Sequence, residues 1–399
     1  MVKRNPHIAK LHAGYLYQEI QRRTKVLLQQ QPNADLISLG IGDTTEPIPH
    51  YIADRMQQAS IALSTPHGYT GYSNEQGNSE LRQKIASVLY NNTIDADDIF
   101  INDGAKCDLG RLQMLFGPDA TIAIQDPSYP VYVDSSVIMG KTGPYSTTSE
   151  HYHGLTYLSC SPDNNFFPDI TTLPHTDLIY FCSPNNPTGA VATKEQLAAL
   201  VAKAKENDAM IIFDGAYASY ITDPSLPHSI YEIDGADEVA IEVNSFSKLA
   251  GFTGVRLGWT IVPKALSFND GASIHSDWKR LSCTVFNGAS NIAQQGGIAC
   301  LEDEGFAATT KIRNFYLDNA RIIQESLQVP TYGGINAPYV WAYFEKNSWD
   351  IFEKLLYKMN IITVPGSGFG PAGEGFIRLS AFGQRHTIEK AATRLRQWQ

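Results

Sequence analysis

Cysteine is scarce: the 399 residues hold five (Cys107, Cys160, Cys182, Cys283 and Cys300), scattered and never spaced as C-x-x-C. That argues against a disulfide framework and points to a reduced, cytoplasmic protein. Positive charge is also short, with 31 Lys and Arg against 41 Asp and Glu and a net charge of -10. Binding to phosphate backbones needs concentrated Lys and Arg, so no nucleic acid partner is expected. Apolar runs long enough to span a bilayer are missing, and the opening MVKRNPHIAKLHAGYLYQEI has neither an apolar core nor a small-residue cleavage site. No membrane partner is expected, nor any metal site. Charged residues of both signs make up only 18%, below the roughly 25% of ordinary soluble domains. A large buried fraction or an extensive subunit interface would account for this, and a homodimer is expected. Internal repeats and low-complexity segments are absent.

What is present reads as an α/β chain. Short apolar, β-branched runs suit buried parallel strands: IFIND (99–103), TIAIQD (121–126), DLIYFCSP (177–184), AMIIFD (209–214) and EVAIEVNSF (238–246). Helical patterns lie between most of them. The clearest is TKEQLAALVAKAKEN (193–207), where Thr193 and Gln196 have capping-box spacing ahead of Leu197, Leu200, Val201 and Ala204. Strand-helix alternation predicts a mostly parallel sheet flanked by helices, with its ligand site at the carboxyl ends of the strands. A helical stretch over about 289–328 is followed by PYVWAYFE, the helix WDIFEKLLYKM, the loop VPGSGFGPAGEG, the strand FIRLS and a final helix, which suits a smaller α+β domain. The expected division is an arm and part of the small domain over 1–48, a large domain over 49–290, and a connecting helix with the small domain over 291–399.

The chemistry concentrates where strands end. In SFSKLAGFTGVRLGW (245–259), Lys248 leaves a buried strand beside Ser245, Ser247 and Arg256. Desolvation there lowers a lysine below its reference of about 10.4 and frees the neutral amine as a nucleophile for an aldehyde, while the two hydroxyls and the arginine suit an anion. In FDGAY, Asp214 ends a strand and needs a cation. The pyridinium nitrogen of pyridoxal phosphate is such a cation, and Tyr217 can hydrogen-bond that ring's phenolic oxygen. Asn186, fixed in CSPNNPTGAV by the proline after it, can donate to the same oxygen. NDGAKCDLGRLQMLFG (102–117) turns from strand to helix, so the backbone N–H groups of Gly104, Ala105 and Lys106 are expected to form a phosphate cup. Tyr129 in DPSYP can stack on a planar ring. Arg378, inside the strand GFIRLS, needs an anion, and a substrate carboxylate would suit its planar fork. Taken singly, each has an ordinary structural explanation: a solvated lysine, an Asp cap, a core tyrosine, a common Asn-Pro turn, a salt-bridged arginine.

Together and in this order, NDGAK, DPSYP, NNPTG, FDGAY, SFSK and GVRLGW resemble the fold-type I aminotransferases of class I and II, over about residues 15–385. The resemblance implies a homodimer with shared active sites, pyridoxal phosphate held by Lys248 as a Schiff base, and amino acids and keto acids as substrates. Within that family GYLYQEI, LGIGDTT, GYSNEQG and FNGAS are similar to the branch that exchanges the amino group of LL-2,6-diaminopimelate with 2-oxoglutarate. That similarity implies a distal-end role for Glu75 and a place near the phosphate for Tyr72, both from the second subunit's loop. Tyr15, Gly42, Lys106 and Asn287 match further substrate or dimer-shared positions. The chain departs from the family pattern at Gly215, at Leu249 and at Ser73-Asn74. Aminotransferases of alanine, aspartate or aromatic specificity and carbon-sulfur lyases share the cofactor motifs and stay open. A DNA-binding regulator built on the same module would need a basic winged helix, for which the residues before the first strand are too few.

Overall fold

The computed structural model describes residues 1–11 and 16–398, so Tyr15 lies outside the described residues. The main sheet has seven strands, in the spatial order Ile99–Asn102, Gly258–Ile261, Ala240–Ser245, Met210–Asp214, Leu178–Cys182, Ile122–Asp126, Leu155–Ser159. The strands Ile122–Asp126, Leu178–Cys182, Met210–Asp214 and Ala240–Ser245 are buried at every residue. That is why they read as unbroken apolar runs. Their side chains nevertheless alternate. Ile122, Ile124, Tyr180, Ile212 and Ile241 feed one core, while Ala123, Ile179, Phe181, Ile211 and Phe213 feed another on the opposite face. Helix Lys194–Glu206 covers the second face with the expected stripe, and the Thr193–Gln196 capping box is formed.

Two features differ from expectation. Ile99–Asn102 has no parallel neighbour; it is an edge strand whose one partner in the sheet, Gly258–Ile261, runs antiparallel to it. Gly258–Ile261 also runs against Ala240–Ser245, with Gly258 opposite Ser245. The segment before residue 40 is not only arm and strand. It holds the helix Leu16–Gln30, which buries Leu16, Ile20 and Leu27 along one side, with Tyr17 half-buried beside them.

A second, antiparallel sheet joins Thr331–Gly333, Tyr339–Tyr343, Phe376–Ser380 and Val364–Pro365. Its core takes in Leu16, Ile20, Leu27, Ile37 and Leu39 beside Trp341, Phe352 and Ile377, and Trp341 stacks on Phe376 with ring centroids 5.0 Å apart. Ile37–Ser38 pairs in parallel with Ile361–Ile362. The stretch over 289–328 is two helices, Asn291–Cys300 and Asp303–Gln324. We propose that 1–48 and the chain after about residue 300 form one small unit, a division supported by this shared core; the helix Asn291–Cys300, expected with the small unit, packs instead with Ile52, Leu81 and Phe252 in the core of the large one. No helix among the described residues is long and apolar enough to cross a membrane.

Candidate active site

A cavity of about 430 Å³ opens at the carboxyl edge of the main sheet, facing the small sheet. Its lining gathers Gly42, Ala105, Lys106, Tyr129, Asn186, Asp214, Tyr217, Ser245, Ser247, Lys248, Arg256 and Arg378. Of the residues expected at the site, Tyr72, Glu75 and Asn287 are not in this lining. A second cavity of about 380 Å³, between Arg55, Thr70 and Asn291, contains none of the expected residues.

Lys248 sits in the single helical turn Phe246–Leu249 that follows the strand Ala240–Ser245; Ser245 caps the turn by accepting from the Ser247 N–H at 3.0 Å. The lysine Nζ donates to the Gly42 carbonyl and lies 4.9 Å from the centre of the Phe382 ring. Among the described residues it forms no ion pair. Burial pushes its pKa down from 10.5 to about 8, with Asp43 opposing and Arg378 and Arg256 reinforcing. The reading of Lys248 as a solvated loop lysine is thereby set aside.

Asp214 is buried at its strand end. Tyr132 donates to it at 2.6 Å and the Ala216 N–H at 3.0 Å. Burial raises its carboxyl above the ordinary range, with the two hydrogen bonds opposing. Neither partner is a cation, so a protonated ring nitrogen in the cavity would supply the missing counter-charge.

The expected phosphate cup needs one correction. The Gly104 N–H is taken by Asn102 Oδ1 at 2.9 Å, and so does not point at a shared anion. Gly104 has φ +113 and its missing Cβ leaves space for the Arg256 guanidinium, which a side chain there would strike. Ala105 and Lys106, opening the helix Ala105–Leu112, remain at the cavity with Ser245, Ser247 and Arg256. Arg256 Nη1 lies 3.5 Å from Ser247 Oγ and donates to the Thr253 carbonyl at 3.0 Å.

Arg378 is fully buried, yet no carboxylate among the described residues pairs with it. It donates to Asn186 Oδ1 at 2.7 Å and to the Gly40 carbonyl at 2.7 Å, and its Nε has no partner. No structural salt bridge forms among the described residues; Tyr17 also hydrogen-bonds the guanidinium, and capacity is still left for an anion. Because Asn186 accepts through its oxygen, its amide N–H groups are the end that remains to donate into the cavity.

Tyr72, Glu75 and Asn287 lie together on the surface instead. Asn291 donates to Thr70 and to the Gly71 carbonyl at 3.0 Å each, and Gln294 donates to Ser73 Oγ at 2.9 Å. A Cβ on Gly288 would approach Ser73 to 2.9 Å. These contacts bind the 70–75 loop to the 286–291 loop, with Tyr72 87% exposed. Of the departures from the family pattern, Gly215 faces Asn244, whose side chain occupies the space a Cβ would need. Leu249 fills the core beside Phe246 and Phe252.

Several lining residues were not anticipated: Tyr17, Asp43, Thr253 and Tyr339. Tyr17 and Asp43 stood in quoted motifs beside the residues singled out there, Tyr15 and Gly42. Tyr339 stands in PYVWAYFE, for which the sequence offers no chemical reading.

A desolvated lysine, a buried aspartate and two arginines at the carboxyl edge of a mostly parallel sheet define a class: α/β enzymes built around a reactive lysine. Within that class the chain belongs to the aminotransferases of class I and II, whose family model matches residues 34–395. It is 54% identical over 400 residues to the LL-diaminopimelate aminotransferase of Protochlamydia amoebophila, covering 99% of this chain and 97% of that one. It is also 54% identical over 401 residues to the chloroplastic LL-diaminopimelate aminotransferase of Arabidopsis thaliana, covering 99% and 87%. The solved L,L-diaminopimelate aminotransferase of Chlamydomonas reinhardtii superposes with a TM-score of 0.95 at 54% identity, covering 99% of this chain and 98% of that one.

Proposed function

We propose that this chain is a pyridoxal-phosphate-dependent aminotransferase that exchanges an amino group between LL-2,6-diaminopimelate and 2-oxoglutarate, giving tetrahydrodipicolinate and glutamate, in lysine and peptidoglycan-precursor synthesis. One observation carries the cofactor reading: a lysine brought to a pKa of about 8 shares one cavity with a buried carboxylate that lacks a cation and with an anion-binding rim. Full-length identity near 54% to relatives of that named activity supports the substrate. Five free thiols suit a cytoplasmic location.

Pyridoxal phosphate, when bound, supplies an electron sink for the carbon next to the substrate's amine. Lys248 would anchor it and, as a neutral base, move the proton at the substrate α-carbon. Asp214 would keep the ring nitrogen protonated, and Asn186 and Tyr217 would donate to the phenolic oxygen. Ser245, Ser247, Arg256, Ala105 and Lys106 would hold the phosphate, and Tyr129 would pack on the ring. Arg378 would grip the reacting carboxylate through the donors that Asn186 and Gly40 leave over. Tyr72, Glu75 and Asn287, clustered on the surface away from their own cavity, would complete the site of a second subunit, with Glu75 receiving the distal ammonium. Homodimerisation is part of this reading.

The test is donor selectivity. Consumption of 2-oxoglutarate should follow LL-diaminopimelate far more readily than the meso isomer, aspartate, alanine or tyrosine. Preference for one of the last three would replace the substrate assignment while leaving the aminotransferase intact.

A further inference from the structure

Tyr339 opens the small-sheet strand Tyr339–Tyr343. It is 1% exposed, and its hydroxyl lies 2.5 Å from the hydroxyl of Tyr217, across the junction between the two sheets. The Arg378 guanidinium sits 4.4 Å from its ring centre. Gly42 closes on the same hydroxyl, because a Cβ at that position would collide with the Tyr339 oxygen. The other charged or titratable groups facing the pair are Lys248, Tyr17, Tyr129 and Cys182. Burial raises both phenols above their ordinary value, so each keeps its proton.

Two neutral hydroxyls in contact place one proton between them. If Tyr217 directs its own proton into the cavity, Tyr339 must be the donor of the pair. We propose that Tyr339 is a positioning residue for Tyr217: its hydroxyl donates to the Tyr217 oxygen, turns the Tyr217 proton toward the cofactor's phenolic oxygen, and strengthens that donation. This rests on pyridoxal phosphate occupying the cavity. The physical basis is cooperative polarisation along a chain of hydrogen bonds in a buried site. The same ring lies beneath Arg378, so one side chain supports both the carboxylate grip and the donor to the ring oxygen.

The experiment loads wild type, Tyr339→Phe, Tyr217→Phe and the double variant with pyridoxal phosphate and titrates the visible absorption with pH. Weakening a donor to the phenolic oxygen disfavours the deprotonated, oxyanionic form, so the midpoint should rise. Tyr339→Phe should raise it by about half a unit, the order expected when one neutral bond of a two-bond chain is withdrawn. Tyr217→Phe should raise it further, and the double variant no further than Tyr217→Phe alone. An unchanged midpoint in Tyr339→Phe, or shifts that simply add in the double variant, would overturn the proposal. A wild-type protein with no visible band after loading would overturn the pyridoxal phosphate reading instead. Should Tyr339→Phe not fold, Gly42→Ala crowds the same hydroxyl: a midpoint raised in the wild-type background but not in Tyr217→Phe supports the relay, and an unmoved midpoint or an equal rise in both backgrounds overturns it.

Discussion

Lys248 owes its chemistry to where its strand stops. Ser245 ends the strand and caps the turn, which carries the amine into an enclosed space where no anion among the described residues is ion-paired to it. With a pKa of about 8, about a tenth of the amine is neutral at pH 7, against less than one part in a thousand for an unperturbed lysine. Capture of added pyridoxal phosphate by the cofactor-free protein should therefore speed up as pH rises through about 8 and level off above it, as followed by rapid-mixing absorbance. A rate flat across that range would mean that the amine is not the attacking form. Lys248→Ala should still bind the cofactor, lose the absorption of the lysine-linked form, and lose essentially all turnover. Arg378→Lys keeps the charge but loses the planar fork. KM for amino donors should rise about tenfold or more with little change in the bound cofactor's spectrum. The sequence showed these residues because each stands in a short motif at a strand end. It could not show the use of the Gly104 N–H, which depends on where the Asn102 side chain turns. Nor could it pair Tyr339 with Tyr217, since contacts between residues so far apart in the chain leave no local pattern.

Elements were legible in proportion to how strongly burial marks them. The four parallel inner strands announce themselves because both faces are covered along a run of apolar residues, and helix Lys194–Glu206 because its cap and stripe agree. Gly258–Ile261 was hidden as a strand that starts at the end of GVRLGW, being four residues long and overshadowed by the glycine and arginine before it. Helix Leu16–Gln30 was missed because only Leu16, Ile20 and Leu27 are buried, a stripe too sparse to stand out among glutamines and charges. The capping box offers a test of stability apart from chemistry. Thr193→Ala removes the hydroxyl that accepts from the Gln196 N–H at 3.2 Å and should cost about 1 kcal/mol. In urea the unfolding midpoint should fall with the slope unchanged, and kcat should stay as it was. A large loss of activity would mean that this helix is coupled to the site.

At the scale of the whole molecule, if the surface cluster of Tyr72, Glu75 and Asn287 completes a second subunit's site as proposed, activity toward a two-headed substrate requires a dimer. Glu75→Gln should weaken use of diaminopimelate while sparing the glutamate half-reaction. The stronger test mixes it with Lys248→Ala. If Glu75 serves the neighbouring site, each heterodimer carries one fully wild-type site, and reassembly of two poor enzymes should restore about a quarter of wild-type turnover on random pairing. No recovery in confirmed heterodimers would mean that Glu75 acts within its own chain. The low charged fraction hinted at such an interface, but composition has no address; only the folded loops show that these three residues share one patch.

The chain leaves the main sheet at Ser245 and re-enters it at Gly258, directly opposite, so Lys248 and Arg256 ride on a single excursion with both feet in adjacent strands. Arg378 stands on the other sheet. Any hinge motion between the sheets would therefore carry Lys248 and Arg256 as one piece while Arg378 advanced or withdrew, so on the proposed reading the site could open to exchange substrates without loosening its hold on the cofactor.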